Sequence, residues 1–290
     1  MGSWNEILEE IKTNNNNVDL VRRTYLKKLS NHTGRNTILY YSGWLEKPQM
    51  PGTDITDLDM PGFMTTVNKL NKSQGVDIIL HSPGGDPTAT EHIVNYLHSV
   101  FNNDVRVIVP HMAMSAGTMF ACAAKEIIMG KQSCLGPVDP QFGGIPAFNI
   151  IEEFKNAKKE LTDNPQSSEY WRQLLSKYPA AFLYRVFDAM KLSKILVQEW
   201  LEKYMFKDEN KTNIIKEIVK KLNMNAKSHA RHFSLQYCID MGLKIVRLED
   251  DAILQDLVLS IYHASTITIS STRAIKLIEN QEGRALIRQI

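Results

Sequence analysis

Gly85 and Ser115 stand 30 residues apart, in two short stretches whose residue types suit acyl transfer. In His81-Ser-Pro-Gly-Gly-Asp86 an apolar run ends in paired glycines ahead of a helical pattern. Adjacent glycines permit a positive φ and close backbone approach, so the Gly84 and Gly85 amides can point at a developing oxyanion. In Met112-Ala-Met-Ser-Ala-Gly-Thr118 a serine follows another apolar run and opens another helical pattern. Small residues at 113, 116 and 117 leave room around the Ser115 hydroxyl. The Ala116 N–H falls in a first helical turn, where amides lack intrahelical acceptors. Each stretch also has a plain structural reading: a chain reversal for Pro-Gly-Gly, and an N-cap for Ser115. The GxSxG pattern of a nucleophile elbow is absent. What favours chemistry is the pair, since two strand–turn–helix units in tandem would set the glycine amides beside the hydroxyl.

The flanking pattern supplies such units. Val76–Leu80 and Val105–Val109 read as strands, Thr88–Val100 and Ala116–Ala124 as helices, and Ile127–Met129 as a third short strand. Turn chemistry follows over Leu135–Gln141. Strand, tight turn and helix in alternation mark parallel βαβ units. Ligands in such sheets sit outside the carboxyl ends of strands, where both motifs fall. Upstream, Ile7, Leu8 and Ile11, then Leu20, Val21 and Leu26, predict two short amphipathic helices split by Asn14–Asn17. Thr37–Tyr41 reads as a buried strand, Lys47–Asp59 as a loop and Asp59–Lys72 as a helix. From Asn149 to about Met224 the pattern is helical and charged. His232–Arg247 returns to the core as helix plus strand, Asp250–Ser260 is helical, and Ile267–Ile290 closes the chain. The expected divisions are an N-terminal helical segment (1–36), a core (37–148), a helical insertion (149–226), and a return to the core with a C-terminal helical segment (227–290).

Composition narrows the classes. The 290 residues are 43% hydrophobic and 23% charged, ordinary for a globular core. Thirty-four basic against 32 acidic residues leave a formal charge of +2 and no long basic run, so no nucleic acid or anionic membrane is expected as partner. Cys122, Cys134 and Cys238 are odd in number and unpatterned, which points to buried thiols in a reducing, cytoplasmic setting. No signal-peptide pattern opens the sequence, and Glu6 stands where a myristoylation pattern needs Ser or Thr. No run of about 18 apolar residues occurs, so no transmembrane helix is expected. HExxH, CxxC and GxxxxGK[ST] are absent, so neither a metal nor a cofactor is expected.

Five separated blocks give the chain a resemblance. HSPGG, VIVPHMAMSAGTMFACAAKEIIMG and CLGPVDPQ, followed by SHARHFSLQYCIDMGLKI and the tail KLIENQEGRALI, resemble the serine dehydrogenase proteinase family over roughly residues 37–290. Its members are related to signal peptide peptidase A and the Clp protease. The resemblance implies an α/β fold of the Clp/crotonase type: repeated ββα units with a helical insertion and C-terminal helices. It implies a serine endopeptidase acting on peptides or proteins, with Ser115 as nucleophile and the Gly85 and Ala116 amides receiving the oxyanion. It also implies a homo-oligomer.

A serine hydroxyl needs a base within hydrogen-bond reach. In the Clp protease the histidine follows the nucleophile on the segment that here reads Gly136-Pro-Val-Asp-Pro-Gln141, and that slot holds Asp139. The Clp aspartate corresponds to about His229 or Ala230. The resemblance therefore suggests exchanged roles, with His229 as base and Asp139 orienting it, which a triad defined by geometry allows. A Ser–Lys dyad, as in signal peptide peptidase A, is the rival. It requires a buried lysine, for which Lys191 is the first candidate and Lys131 the second. His81 is expected to be a packed residue beside the site, and His232 is less well spaced than His229. Two other classes stay open: a crotonase-like acyl-CoA enzyme and a catalytically silent oligomeric scaffold.

Overall fold

The computed structural model describes residues 2–224 and 231–290. Twelve strands and eleven α-helices are found among them. The strands are β1 (Asn36–Ser42), β2 (Val76–His81), β3 (Val105–Val109), β4 (Met112–Ala113), β5 (Ile127–Met129), β6 (Cys134–Leu135), β7 (Gln141–Phe142), β8 (Ile145–Pro146), β9 (Phe233–Ser234), β10 (Ile245–Arg247), β11 (Ala274–Asn280) and β12 (Ala285–Gln289). The helices are α1 (Trp4–Thr13), α2 (Val18–Thr33), α3 (Met60–Val67), α4 (Pro87–Val100), α5 (Ala116–Cys122), α6 (Ala147–Asp163), α7 (Ser168–Leu175), α8 (Phe182–Trp200), α9 (Thr212–Met224), α10 (Leu235–Met241) and α11 (Ala252–Ser271).

The main sheet runs β10-β5-β3-β2-β1-β11-β12. Its first five strands are mutually parallel, and β11 and β12 join antiparallel. Strands β1 and β2 are buried along their whole length, as their unbroken apolar runs require of a sheet covered on both faces. Alternation sends Ile38, Tyr40, Ile78 and Leu80 to one core, with α3, α4 and α5. It sends Leu39, Tyr41 and Ile79 to the other, with α2 and α11. A smaller sheet, β4-β6-β9, sits past the carboxyl end of β3.

Several sequence expectations fall where they were placed, and the strands at 105–109 and 127–129 match residue for residue. Two differ. The tail expected to be helical is a β-hairpin, β11–β12, turned at Gly283 with φ 75°. Its alternating apolar residues cover the open edge of β1 through the register Ile38↔Asn280 to Ser42↔Lys276. The helix expected at 250–260 runs on to Ser271. By length and mean hydropathy α11 could cross a membrane. In this fold it is a core helix, with Leu257, Val258, Ile261 and Ile269 packed under the sheet and Thr268 accepting from Arg22 at 2.8 Å.

Candidate active site

Beyond β2 the chain makes the turn that the glycines suggested. Gly84 has φ 101° and Gly85 φ 149°, conformations that side chains rarely adopt. Space forbids side chains as well. A Cβ on Gly84 would lie 2.8 Å from the Ser115 Cβ and 2.9 Å from the Ala116 nitrogen. On Gly85 it would lie 2.3 Å from the Ile55 carbonyl oxygen. Ile55 clamps the turn: its N–H donates to the Gly84 carbonyl at 2.7 Å, and its carbonyl accepts from the Asp86 N–H at 2.9 Å. Asp86 then caps α4, its carboxylate accepting from the Thr88 and Ala89 amides. The two glycine amides are not equivalent. Gly84 N–H donates to the Ser82 hydroxyl at 3.1 Å, so the expectation that it would serve an oxyanion needs correction. Gly85 N–H has no acceptor among the described residues.

Ser115 lies at the junction of β4 and α5. Met114 N–H donates to the Ser82 carbonyl at 2.9 Å, which ties the serine turn to the glycine turn. Ser115 has φ 50° and ψ −115°. A non-glycine residue in such a conformation costs of order 1–3 kcal/mol and persists only when its surroundings impose it. Its side chain makes no capping bond, so the N-cap reading fails. A half-buried hydroxyl is left on a strained strand-to-helix corner, the geometry of a nucleophile elbow without the GxSxG pattern. The Ala116 N–H also lacks an acceptor among the described residues. Ser115 and the Ala116 nitrogen thus lie beside Gly84, one residue from the free Gly85 amide, a grouping that suits acyl transfer at this point.

That point opens into a cavity of about 440 Å³ whose lining includes Asp54, Gly85, Ser115, Asp139, Gln141 and Ser193. Asp139 is 2% exposed, and neither carboxylate oxygen has a hydrogen-bond partner among the described residues. Burial pushes its pKa up from 3.8 to about 6. The Phe148 amide and the charge of Lys194 pull the other way, the amide from outside good hydrogen-bond geometry. Thr118, which the sequence reading passed over, fixes the strand leading to Asp139. Its buried hydroxyl accepts from Gly136 N–H at 2.9 Å and lies 2.8 Å from the Ala113 carbonyl, joining that strand to the serine turn. Ile55 and Asp54 were also missed, because Lys47–Asp59 reads only as a loop.

The candidate bases fare differently. His229 lies outside the described residues. Lys191 is exposed on α8 and lines a separate cavity with Phe187 and Met190, so the burial that a lysine base needs is absent. Lys131 is likewise exposed. His81 is a packed residue, as expected: its ring lies 4.6 Å from that of Tyr41 and 4.3 Å from that of Trp44, and burial holds its pKa well below the usual range. Exposed His232 lies near enough to His111 for its charge to be felt there. Burial pushes the thiols of Cys134 and Cys238 up, to about 11 and about 12, so neither is a ready nucleophile.

Gly85, Ser115, Ala116 and Asp139 all fall inside one family match. Over residues 44–167 the chain matches the ClpP-like SDH-type serine proteinase family. That is the family which the motifs resemble, over a shorter span than the 37–290 read from the sequence. Its name suggests a peptidase. The central, mostly parallel sheet flanked by helices suits a ClpP-like α/β fold. Two uncharacterized proteins of Methanocaldococcus jannaschii are similar to the chain. One is 28% identical over 194 residues, 66% of this chain and 59% of the relative. The other is 38% identical over 110 residues, 38% of each chain. The matched region therefore spans less than two thirds of either relative. No solved structure matches the chain significantly.

Proposed function

We propose that the protein is a serine endopeptidase acting through an acyl-enzyme at Ser115. The observation that carries this reading is the convergence at Gly84, where a single added carbon would touch both the Ser115 Cβ and the Ala116 nitrogen. The Ser115 Oγ attacks the scissile carbonyl carbon and its proton passes to a base. Gly85 and Ala116 N–H groups hold the oxyanion of the tetrahedral intermediate. Collapse expels the amine, which takes the proton from the base, and water then hydrolyses the Ser115 ester by the reverse proton path.

His229 is proposed as that base, with Asp139 orienting it. The ClpP-like family match over the segment that carries Ser115 and Asp139, together with the sequence motif around position 229, supports this choice. A fluorophosphonate probe tests the proposal. It should label the wild type and fail on Ser115→Ala. His229→Ala should slow labelling by about a hundredfold or more. Labelling that survives Ser115→Ala would sink the nucleophile assignment. Loss in Lys191→Ala with full labelling in His229→Ala would sink the base.

A further inference from the structure

Lys191 has no part in the chemistry above, and neither does the cavity it lines. That groove, about 620 Å³, runs between α6 and α8. Its apolar walls are Phe148 and Ile151 from one helix and Phe187, Met190 and Ile195 from the other. Phe187 is 49% exposed and Ile195 40%. Large apolar side chains left open together mark a binding surface. Its rim is cationic: Lys155, Lys191 and Lys194 line it, and no carboxylate does among the described residues. Lys155 is paired with Glu152 at 2.8 Å, whereas Lys191 and Lys194 form no ion pair among the described residues.

The groove and the Ser115 cavity share a wall. Ala189 and Ser193 of α8 face the cavity, while Met190 and Lys194, each one residue further on, face the groove. A chain seated in the groove has only one helix to cross before it meets the serine. Apolar walls with unpaired lysines at their edge complement a segment that alternates apolar residues with Asp or Glu. We propose that this groove docks an acidic, apolar segment of a protein substrate and delivers the chain beyond it over α8 to Ser115. The delivery step rests on the peptidase reading; the docking step does not.

Docking is measured without catalysis, in the Ser115→Ala protein. The probe is a fluorescein-labelled peptide of about twelve residues in which Leu and Phe alternate with Glu, followed by anisotropy. Its Kd should rise about tenfold between roughly 50 and 500 mM NaCl. It should rise about tenfold in Lys191→Glu/Lys194→Glu, and also when every Glu of the peptide is replaced by Gln. Phe187→Ala should weaken binding yet keep the salt dependence. Circular dichroism confirms that the variants, altered at exposed positions, are folded. Equal affinity for the Gln peptide, or indifference to the charge reversal, overturns the proposal. So does a dimer seen by sedimentation that Phe187→Ala abolishes, since a second copy would then be the occupant. Absence of fluorophosphonate labelling in the wild type with intact peptide binding overturns delivery and the peptidase reading while docking stands.

Discussion

Burial, with no well-placed hydrogen-bond donor among the described residues, raises the Asp139 carboxyl to about 6 from its ordinary 3.8, and the sign of the consequence follows. Below the unfolded value the group is neutral in both states and contributes nothing to the pH dependence. As pH rises from about 4 to about 6, the unfolded chain ionises first, so the folded state loses about 3 kcal/mol and stays at that deficit above it. Counting only its described surroundings, Asp139→Asn should be more stable than the wild type at pH 7.5 and equal to it near pH 3.5, by urea denaturation. A carboxylate held by the proposed His229 would instead make the wild type the more stable at pH 7.5. The same variant should lose the rise in acylation rate with an apparent pKa near 6. Greater stability of the wild type at pH 7.5 would mean that the carboxylate is paired rather than stranded. Gly85 is constrained differently. A side chain there collides with the Ile55 backbone, so Gly85→Val should lose about 2–4 kcal/mol of transition-state stabilisation, read from the labelling rate. Gly85 and Ser115 were visible in the sequence because a glycine pair and small neighbours leave a compositional trace, whereas Asp139 was reached only through the family resemblance. The choice between the Gly84 and Gly85 amides was not visible, since it depends on where one hydroxyl, that of Ser82, happens to point.

Among the elements, the segment from Asp54 to Asp59 does most to hold the turn and left the faintest trace. It reads as loop and is loop up to a 3-10 turn at Asp57–Asp59, but Ile55 within it clamps Gly84 and Asp86. What anchors it lies at the other end of the chain. Lys276, on β11, places its Nζ 2.9 Å from each Asp59 carboxylate oxygen and 2.6 Å from the Asp54 carbonyl, with both side chains fully buried. Tyr40 adds a hydrogen bond to Asp59 at 2.8 Å. Removing one partner of such a pair costs about 3–5 kcal/mol, and here Arg288, 3.6 Å from Asp59, puts the loss of Lys276 at the lower end of that range. Lys276→Met should thus lose about that much in urea denaturation. Adding Asp59→Asn should restore part of it, and fluorophosphonate labelling should be slow in both because the clamp is loosened. A double variant no more stable than the single would show that the pair is not what holds the segment. Periodicity cannot reveal a contact between residues 217 positions apart. It does locate β2, β3, α4 and β5, whose apolar repeats are local. The β-hairpin at the tail escaped because its alternation competes with a helical reading that only the open edge of β1 decides.

Across the whole molecule, the Ser115 cavity is walled by parts of unequal firmness. The main core runs from Ile38 and Ile78 through α5 to Leu196, Val197 and Trp200 at the far end of α8. The near end of α8 belongs elsewhere: Val186 packs with Ala147, Ile150 and Ile151 in a small separate cluster. Within α7 only Trp171 is buried. Ala189 and Ser193, which line the cavity, fall between the two cores. Segments with few buried apolar groups open locally at far lower free energy than the core does globally. Helices α6, α7 and the first half of α8 are therefore expected to part from the sheet while β1, β2 and the serine turn stay folded. That would open the Ser115 cavity to the extended peptide of the proposed function. Hydrogen exchange should show this gradient. Amides of α6, α7 and the first half of α8 should exchange well before those of the second half of α8, and β1 to β3 should exchange last, only on global unfolding. Uniform protection from α7 to β2 would mean that the two clusters unfold as one, and the cavity would then need another way in.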